Sequence, residues 1–171
     1  MKVMKSIAAF VASTAIAASA LAQAFPNKPV RVIMPYPAGT GPDAVMRFVG
    51  ERLSKVWNQQ VIVDNRPGGN GWIGVEAVKR SPADGYTILL VDQAIMSLHP
   101  YLYKRMPFDS VKDFEPVAPV YSTNYFITVP ANSKWKTYGD MVADAKQRTT
   151  PLSYGSSGVG GQLHIGGVLV E

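Results

Sequence analysis

Ile33-Met34-Pro35-Tyr36-Pro37-Ala38-Gly39-Thr40-Gly41-Pro42-Asp43 is the stretch on which the reading of this chain turns. It begins as the end of a strand. Pro35 and Pro37 cannot donate to a sheet ladder, so the strand that starts near Val30 stops there. Gly39 and Gly41 allow a tight loop and a close approach to the backbone. Pro42 suits the first helical position, where its missing N–H would have had no partner. Asp43 then puts a carboxylate into the first turn, where the helix dipole favours it. Free backbone N–H groups at such a helix start form a ready anion site. An ordinary strand-to-helix connection carries the same pattern, so this loop needs support from elsewhere.

Outward from the loop, strand and helix alternate. Pro29 to Met34 is a β-branched run and reads as the first strand. Pro42 to Trp57 has Val45, Phe48, Val49, Leu53 and Val56 at helical spacing, which predicts a helix with that face on the sheet. Arg47, Glu51, Arg52 and Lys55 should face water. Gln60 to Asp64 is a second strand, and breakers from Asn65 to Asn70 make a turn. A second helix is expected over Gly71 to Arg80, and a third strand over Tyr86 to Val91. These are βαβ units with parallel pairing and right-handed crossovers, an α/β fold.

Further on, Asp92 to Tyr103 reads as a loop and a short helix, and 107–114 as an extended surface connection. Val117 to Val120 and Tyr125 to Val129 read as extended pieces, with Ser122-Thr123-Asn124 as a crossing into another domain. Thr137 to Gln147 is a helix with Thr137 as its N-cap. Pro151 to Tyr154 leads as a strand into Gly155-Ser156-Ser157-Gly158-Val159-Gly160-Gly161, and a last helix starts near Gln162. That helix stops at Glu171 with no cap, as if the chain were cut short.

Composition sets bounds. The 171 residues are 47% hydrophobic, enough for a buried core. The formal charge is +5, and taking out Lys2 and Lys5 leaves 15 basic against 12 acidic residues, a net of +3. That is a weak excess with no basic cluster, which argues against nucleic acid. Cysteine is absent, so disulfides, thiolate metal sites and a cysteine nucleophile are excluded. No His/Asp/Glu cluster has metal-ligand spacing, and no metal or other cofactor is expected. Residues 1–24 read as a cleaved secretory signal: Lys2 and Lys5, an apolar run from Ser6 to Ala18, and Ala22-Gln23-Ala24 as a small-x-small site. The mature chain is expected to begin near Phe25 and to be exported.

The Gly155–Gly161 segment repeats the logic of the opening loop. Ser156 and Ser157 offer hydroxyls, and the helix start offers amides. Two anion-ready loops at strand ends suit a ligand gripped between two α/β lobes.

Across nearly the whole mature stretch, the residues then resemble one family. Pro29-Val30-Arg31, Pro35-Tyr36-Pro37 with Gly39 and Asp43, and Asn65-Arg66-Pro67-Gly68 stand in order. Ala83-Asp84-Gly85-Tyr86-Thr87, Tyr101-Leu102-Tyr103-Lys104, Val111-Lys112-Asp113-Phe114 and Tyr154-Gly155-Ser156-Ser157-Gly158 follow them. The chain resembles the substrate-binding receptors of the tripartite tricarboxylate transporter family, the Bug receptors. The resemblance implies a periplasmic, two-lobed Venus-flytrap fold of type II, truncated here in the second lobe. Residues 25–122 would be the first lobe without its C-terminal return, and 123–171 the start of the second.

The resemblance also implies a role. A non-catalytic receptor would capture a small carboxylate (a di- or tricarboxylate, an amino acid or an aromatic acid) and deliver it to an integral-membrane permease. Its ligand contacts would come from Tyr36, Ala38, Gly39, Thr40 and Asp43 in the first loop. Ser156, Ser157, Gly158, Val159 and Gly160 would supply them in the second. The chain departs from the family at several points. Ala38-Gly39-Thr40 stands where Pro-Gly-Gly is usual. Pro42 removes an amide and a hydroxyl. Asp92 falls where glycine and threonine are common, and would repel an anion if it pointed inward.

Two rival chemistries fit parts of the sequence. Gly39-Thr40-Gly41-Pro42-Asp43-Ala44 matches a dinucleotide fingerprint, with Asp64 as the ribose acid about 20 residues on. Ser156, Ser157 and His164 could be drawn into a hydrolase triad, but Val159 breaks the G-x-S-x-G pattern. His164 is better suited to packing or capping, and His99, before Pro100, reads as a surface residue. An inactive fragment is the plainest alternative.

Overall fold

The computed structural model describes residues 25–156 and 158–169. The leader read over residues 1–24 lies outside them, as does Ser157. The chain divides into two compact units, one ending at Leu90 and the other beginning at Val91.

In the first unit, β1 (Val30–Met34) is buried at every position except Arg31. Near-continuous burial marks a central parallel strand with cover on both faces. It pairs in parallel with β2 (Val61–Asn65) from Val30↔Val61 to Met34↔Asn65. On its other side it pairs with β3 (Thr87–Leu89) from Arg31↔Thr87 to Ile33↔Leu89, giving the order β2-β1-β3. Helix α1 (Gly41–Trp57) links β1 to β2, and α2 (Trp72–Lys79) links β2 to β3. The two crossovers run in opposite directions across β1, so right-handedness puts their helices on opposite faces. Val32 and Met34 pack with Met46 of α1 on one face. Ile33 turns to the other face, toward Ile73 and Ala77 of α2.

The inward stripe of α1 is turned from the expected one. Asp43, Met46 and Gly50 are buried, while Phe48 and Val56 are 57% and 79% exposed. The helix approaches the sheet along Gly50, where an added Cβ would lie 3.2 Å from Val61 Cγ1. That close line leaves Phe48 outside, its ring covered by the Arg52 guanidinium at 4.1 Å. Helix α1 also starts at Gly41, which makes Pro42 its second residue. In α2, Ile73 is 55% exposed, whereas Val75 is fully buried. Phe25 packs its ring on Tyr86 at 4.9 Å and edge-on to Trp57 at 6.5 Å.

The second unit holds a π-helical turn (Ala94–Leu98), α3 (His99–Leu102), α4 (Tyr138–Gln147) and α5 (Gln162–Val168). Thr137 caps α4 as expected, in a reciprocal box: its side chain accepts from the Asp140 amide, and Asp140 accepts from the Thr137 amide. Three expectations need correcting. Residues 107–114 contain a turn rather than a purely extended run, because the Asp109 carboxylate accepts from the amides of Val111 and Lys112 at 3.0 and 3.1 Å. Residues 151–154, expected as a strand, form no ladder, and the pieces 117–120 and 125–129, expected only to be extended, likewise belong to no sheet among the described residues of this unit. A strand is stabilised by its neighbour, and Val117 and Phe126 are instead more than 80% exposed. His99 is not on the surface but 2% exposed. Among the described residues no helix is long and apolar enough to cross a membrane.

Candidate functional site

The loop after β1 sits where the chain leaves the central strand of the sheet. It lies at the carboxyl end of a parallel strand, the usual side for ligands in such sheets. Its shape is set by one buried carboxylate. Asp43 is 3% exposed. Its Oδ2 accepts from the Gly39 amide at 2.9 Å and from Arg47 Nε at 2.9 Å. Its Oδ1 accepts from Asn65 Nδ2 at 3.0 Å. The Arg47 hydrogen bond, then the Gly39 amide and Asn65, pull the Asp43 carboxyl down to about 2 against the opposing effect of burial.

Asn65 is the second fixed point. Its Nδ2 also donates to the Tyr36 carbonyl at 3.1 Å, and its Oδ1 accepts from Arg47 Nη2 at 3.0 Å. Arg47 faces water as expected, its side chain 53% exposed, while it ion-pairs with Asp43; Asn65 was expected only to open a turn. The acid–arginine spacing of Asp43 and Arg47, four residues apart, is the signal that could have found this pair. Nothing in local sequence points to Asn65. It reaches Asp43 because its partner in register is Met34, at the end of β1.

The first-loop candidates therefore divide. Tyr36 packs against the core, and the Thr40 hydroxyl donates to the Pro37 carbonyl at 2.8 Å. Asp43 faces inward and holds the loop, spending the Gly39 amide. Ala38 is exposed. What remains open is main chain: the amides of Thr40 and Gly41 meet no acceptor among the described residues. Gly39, at φ +82°, needs to be glycine for its backbone. Gly41 has no such need, and an added Cβ at either would have nothing within 4 Å.

The second loop has the same residue types in a different state. The Gly160 amide donates to His164 Nδ1 at 3.3 Å, and the Gly161 amide to the Gly158 carbonyl at 3.2 Å. The Gly158 amide reaches Ser156 Oγ at 3.4 Å. The Val159 carbonyl accepts from the Tyr103 hydroxyl at 3.2 Å. Gly160 is buried, and a Cβ there would lie 2.7 Å from Tyr103 Oη and 3.4 Å from His99 Nε2. Its glycine serves packing. His99 stands edge-on to Tyr103 at 5.0 Å. Burial pushes His99 below its ordinary value, opposed by its hydrogen bond to the Gly160 backbone and by the charge of Asp92. Ser157 lies outside the described residues.

The rival chemistries find little support in these contacts. His164 Nδ1 is taken by a main-chain amide, so it is turned to capping rather than to a serine. Asp64, the would-be ribose acid, is held by Arg31 and by Arg66 Nε, the latter at 2.9 Å. Arg66 thus braces a strand end. Among the described residues no three His, Cys, Asp or Glu side chains could hold a metal. A groove of about 520 Å³ on the α2 face is lined by Arg31, Arg66, Glu76 and Arg80, and these arginines are paired to Asp64 and Glu76.

A family model described as "Tripartite tricarboxylate transporter family receptor" matches residues 45–170. A UPF0065 protein from the tcbD-tcbE intergenic region of Pseudomonas sp. strain P51 is 32% identical over 169 residues, covering 99% of this chain and 50% of its own. Among solved structures, a periplasmic transporter superposes with a TM-score of 0.71 at 34% identity, covering 84% of this chain and 48% of its own. An R. palustris protein with adipate does so with a TM-score of 0.68 at 29% identity, covering 80% and 46%. The chain spans about half the length of the curated relatives it matches.

Proposed function

The chain belongs to the tripartite tricarboxylate transporter family receptors, solute-binding proteins with the α/β fold of periplasmic binding proteins, and from that premise we propose that it captures a small organic carboxylate for a membrane permease. The solute is held between two lobes, the first over residues 25–122 and the second beginning at 123. Export depends on the leader at residues 1–24, cleaved before Phe25.

One observation carries this reading. The loop after β1 is held by Asp43, Arg47 and Asn65, while the Thr40 and Gly41 amides, at a helix start, meet no acceptor among the described residues. Amides held by a rigid frame bind an anion without first having to be ordered. Adipate bound in a structural neighbour supports a short aliphatic acid as the solute. No step of bond making or breaking is assigned, since the family is one of receptors.

Calorimetric titration with adipate and related acids tests the proposal. Wild-type protein should release or absorb heat saturably with at least one of them. Gly41→Glu should abolish that signal, because it sets a carboxylate beside the open amides. Position 41 has room for a side chain and no positive φ, so the variant should melt at the wild-type temperature. Unchanged binding in Gly41→Glu would reject this loop as the anion site.

A further inference from the structure

Asp43 creates a conflict inside the first unit. The loop after β1 is shaped by an acceptor on the Gly39 amide, and a carboxylate accepts there more strongly than a neutral group would. That carboxylate is buried, and its carboxyl is held at about 2, so it stays ionised at neutral pH. Gly39 is the residue next to Thr40. An anion taken by the Thr40 and Gly41 amides would therefore sit within about 10 Å of the charge, given about 3.8 Å from one residue to the next. Left uncovered in a partly desolvated site, like charge at that range costs on the order of tenfold in affinity. The group that fixes the loop is thus the group that would repel its ligand.

Arg47 stands where that conflict can be settled. Its Nε donates to Asp43 Oδ2 at 2.9 Å and its Nη2 to Asn65 Oδ1 at 3.0 Å, so one guanidinium spans both groups. The other partners of Asp43 among the described residues, the Gly39 amide and Asn65 Nδ2, carry no charge. Arg47 is thus the one cation paired with Asp43 there. Its side chain is more than half exposed, so packing does not account for it. The spacing of four residues along α1 holds the two charges together whether or not a solute is present.

We propose that Arg47 is the residue that fits this loop to take an anion: its guanidinium cancels the charge of Asp43 and leaves the carboxylate free to hold the Gly39 amide. The inference rests on the receptor reading above, in which the loop after β1 holds a carboxylate, and every group it uses lies in the first unit. Arg47 is a positioning residue here, acting through Asp43. What it supplies is charge more than shape, and a loop of the same form without that charge would no longer favour an acid.

Calorimetric titration of the full chain with adipate separates charge from scaffold. Arg47→Lys keeps the cation but loses the planar fork that spans Asp43 and Asn65. Arg47→Gln keeps a donor for Asp43 but carries no charge. Each variant loses part of the frame, so both should melt cooperatively and by a similar margin below wild type. Affinity should split them: at least about tenfold weaker than wild type in Arg47→Gln, and less than about threefold weaker in Arg47→Lys. Equal losses in the two variants, or wild-type affinity in Arg47→Gln, overturn the inference and leave the receptor reading standing. No heat with adipate from wild-type protein that melts cooperatively counts against the receptor reading and the inference with it.

Discussion

Asn65 Nδ2 lies 3.0 Å from Asp43 Oδ1, joining the end of β2 to the first turn of the helix that leaves β1. The same amide group holds the Tyr36 carbonyl, so one side chain ties strand, loop and helix together. Replacing it should therefore loosen the loop rather than the sheet. Asn65→Ala is expected to cost about 1–2 kcal/mol by chemical denaturation, because a carboxylate oxygen and a carbonyl lose their donor. Asn65→Asp should cost more, since it sets like charge against Asp43. A denaturation midpoint equal to wild type in both variants would show the bridge to be idle.

Asp43 makes stability depend on acid. Its carboxyl is held at about 2 in the folded chain, below the ordinary 3.8 of the free side chain. Between those values the unfolded chain binds the proton and the folded one does not, so stability rises with pH there. The contribution is present above about 3.8 and is lost as pH falls toward 2. Urea midpoints measured from pH 5 to pH 2 should drop more steeply for wild type than for Asp43→Asn. Parallel curves would remove Asp43 from the acid response.

Two glycines in like positions should respond in opposite ways. Gly160 combines φ +83° with a Cβ position only 2.7 Å from Tyr103 Oη, so Gly160→Ala must move a packed ring. A loss of about 2–3 kcal/mol is expected from strain and clash together. Gly41→Ala meets nothing within 4 Å and has no positive φ, so its melting temperature should stay at or slightly above wild type. Equal effects would contradict the packing described for Gly160.

The capping box of α4 offers a local test in the second unit. Thr137→Ala removes the acceptor for the Asp140 amide, 3.1 Å away, and leaves only the bond from the residue 137 amide to the Asp140 carboxylate. About 1 kcal/mol of helix stability should go. Hydrogen exchange at residues 138–141 should quicken before the rest of α4. Uniform exchange along the helix would place its stability elsewhere.

The βαβ run was readable because its signals are local. β-branched strands, prolines at their ends and an apolar period mark β1, α1 and β2 without reference to the rest of the chain. Thr137 as a cap was readable for the same reason, its partner being three residues away. What stayed hidden lies across long separations. Asn65 meets Asp43 from 22 residues away, and His99 is buried under Gly160 from beyond 60. Phe48 was read inward from its spacing, but the close approach at Gly50 rotated the helix and put it outside. The pieces at 117–120 and 125–129 have strand composition, yet a ladder depends on a neighbour that composition does not name. The two glycine segments looked alike in residue type. They differ in which amides are already occupied, and that depends on Asp43 in one and on His164 in the other.

The order β2-β1-β3 puts the earliest strand in the middle. During synthesis β1 can find no partner until Val61 to Asn65 has been made, and its other edge stays unmatched until Thr87 to Leu89 follows. Such distant pairing is slow to complete.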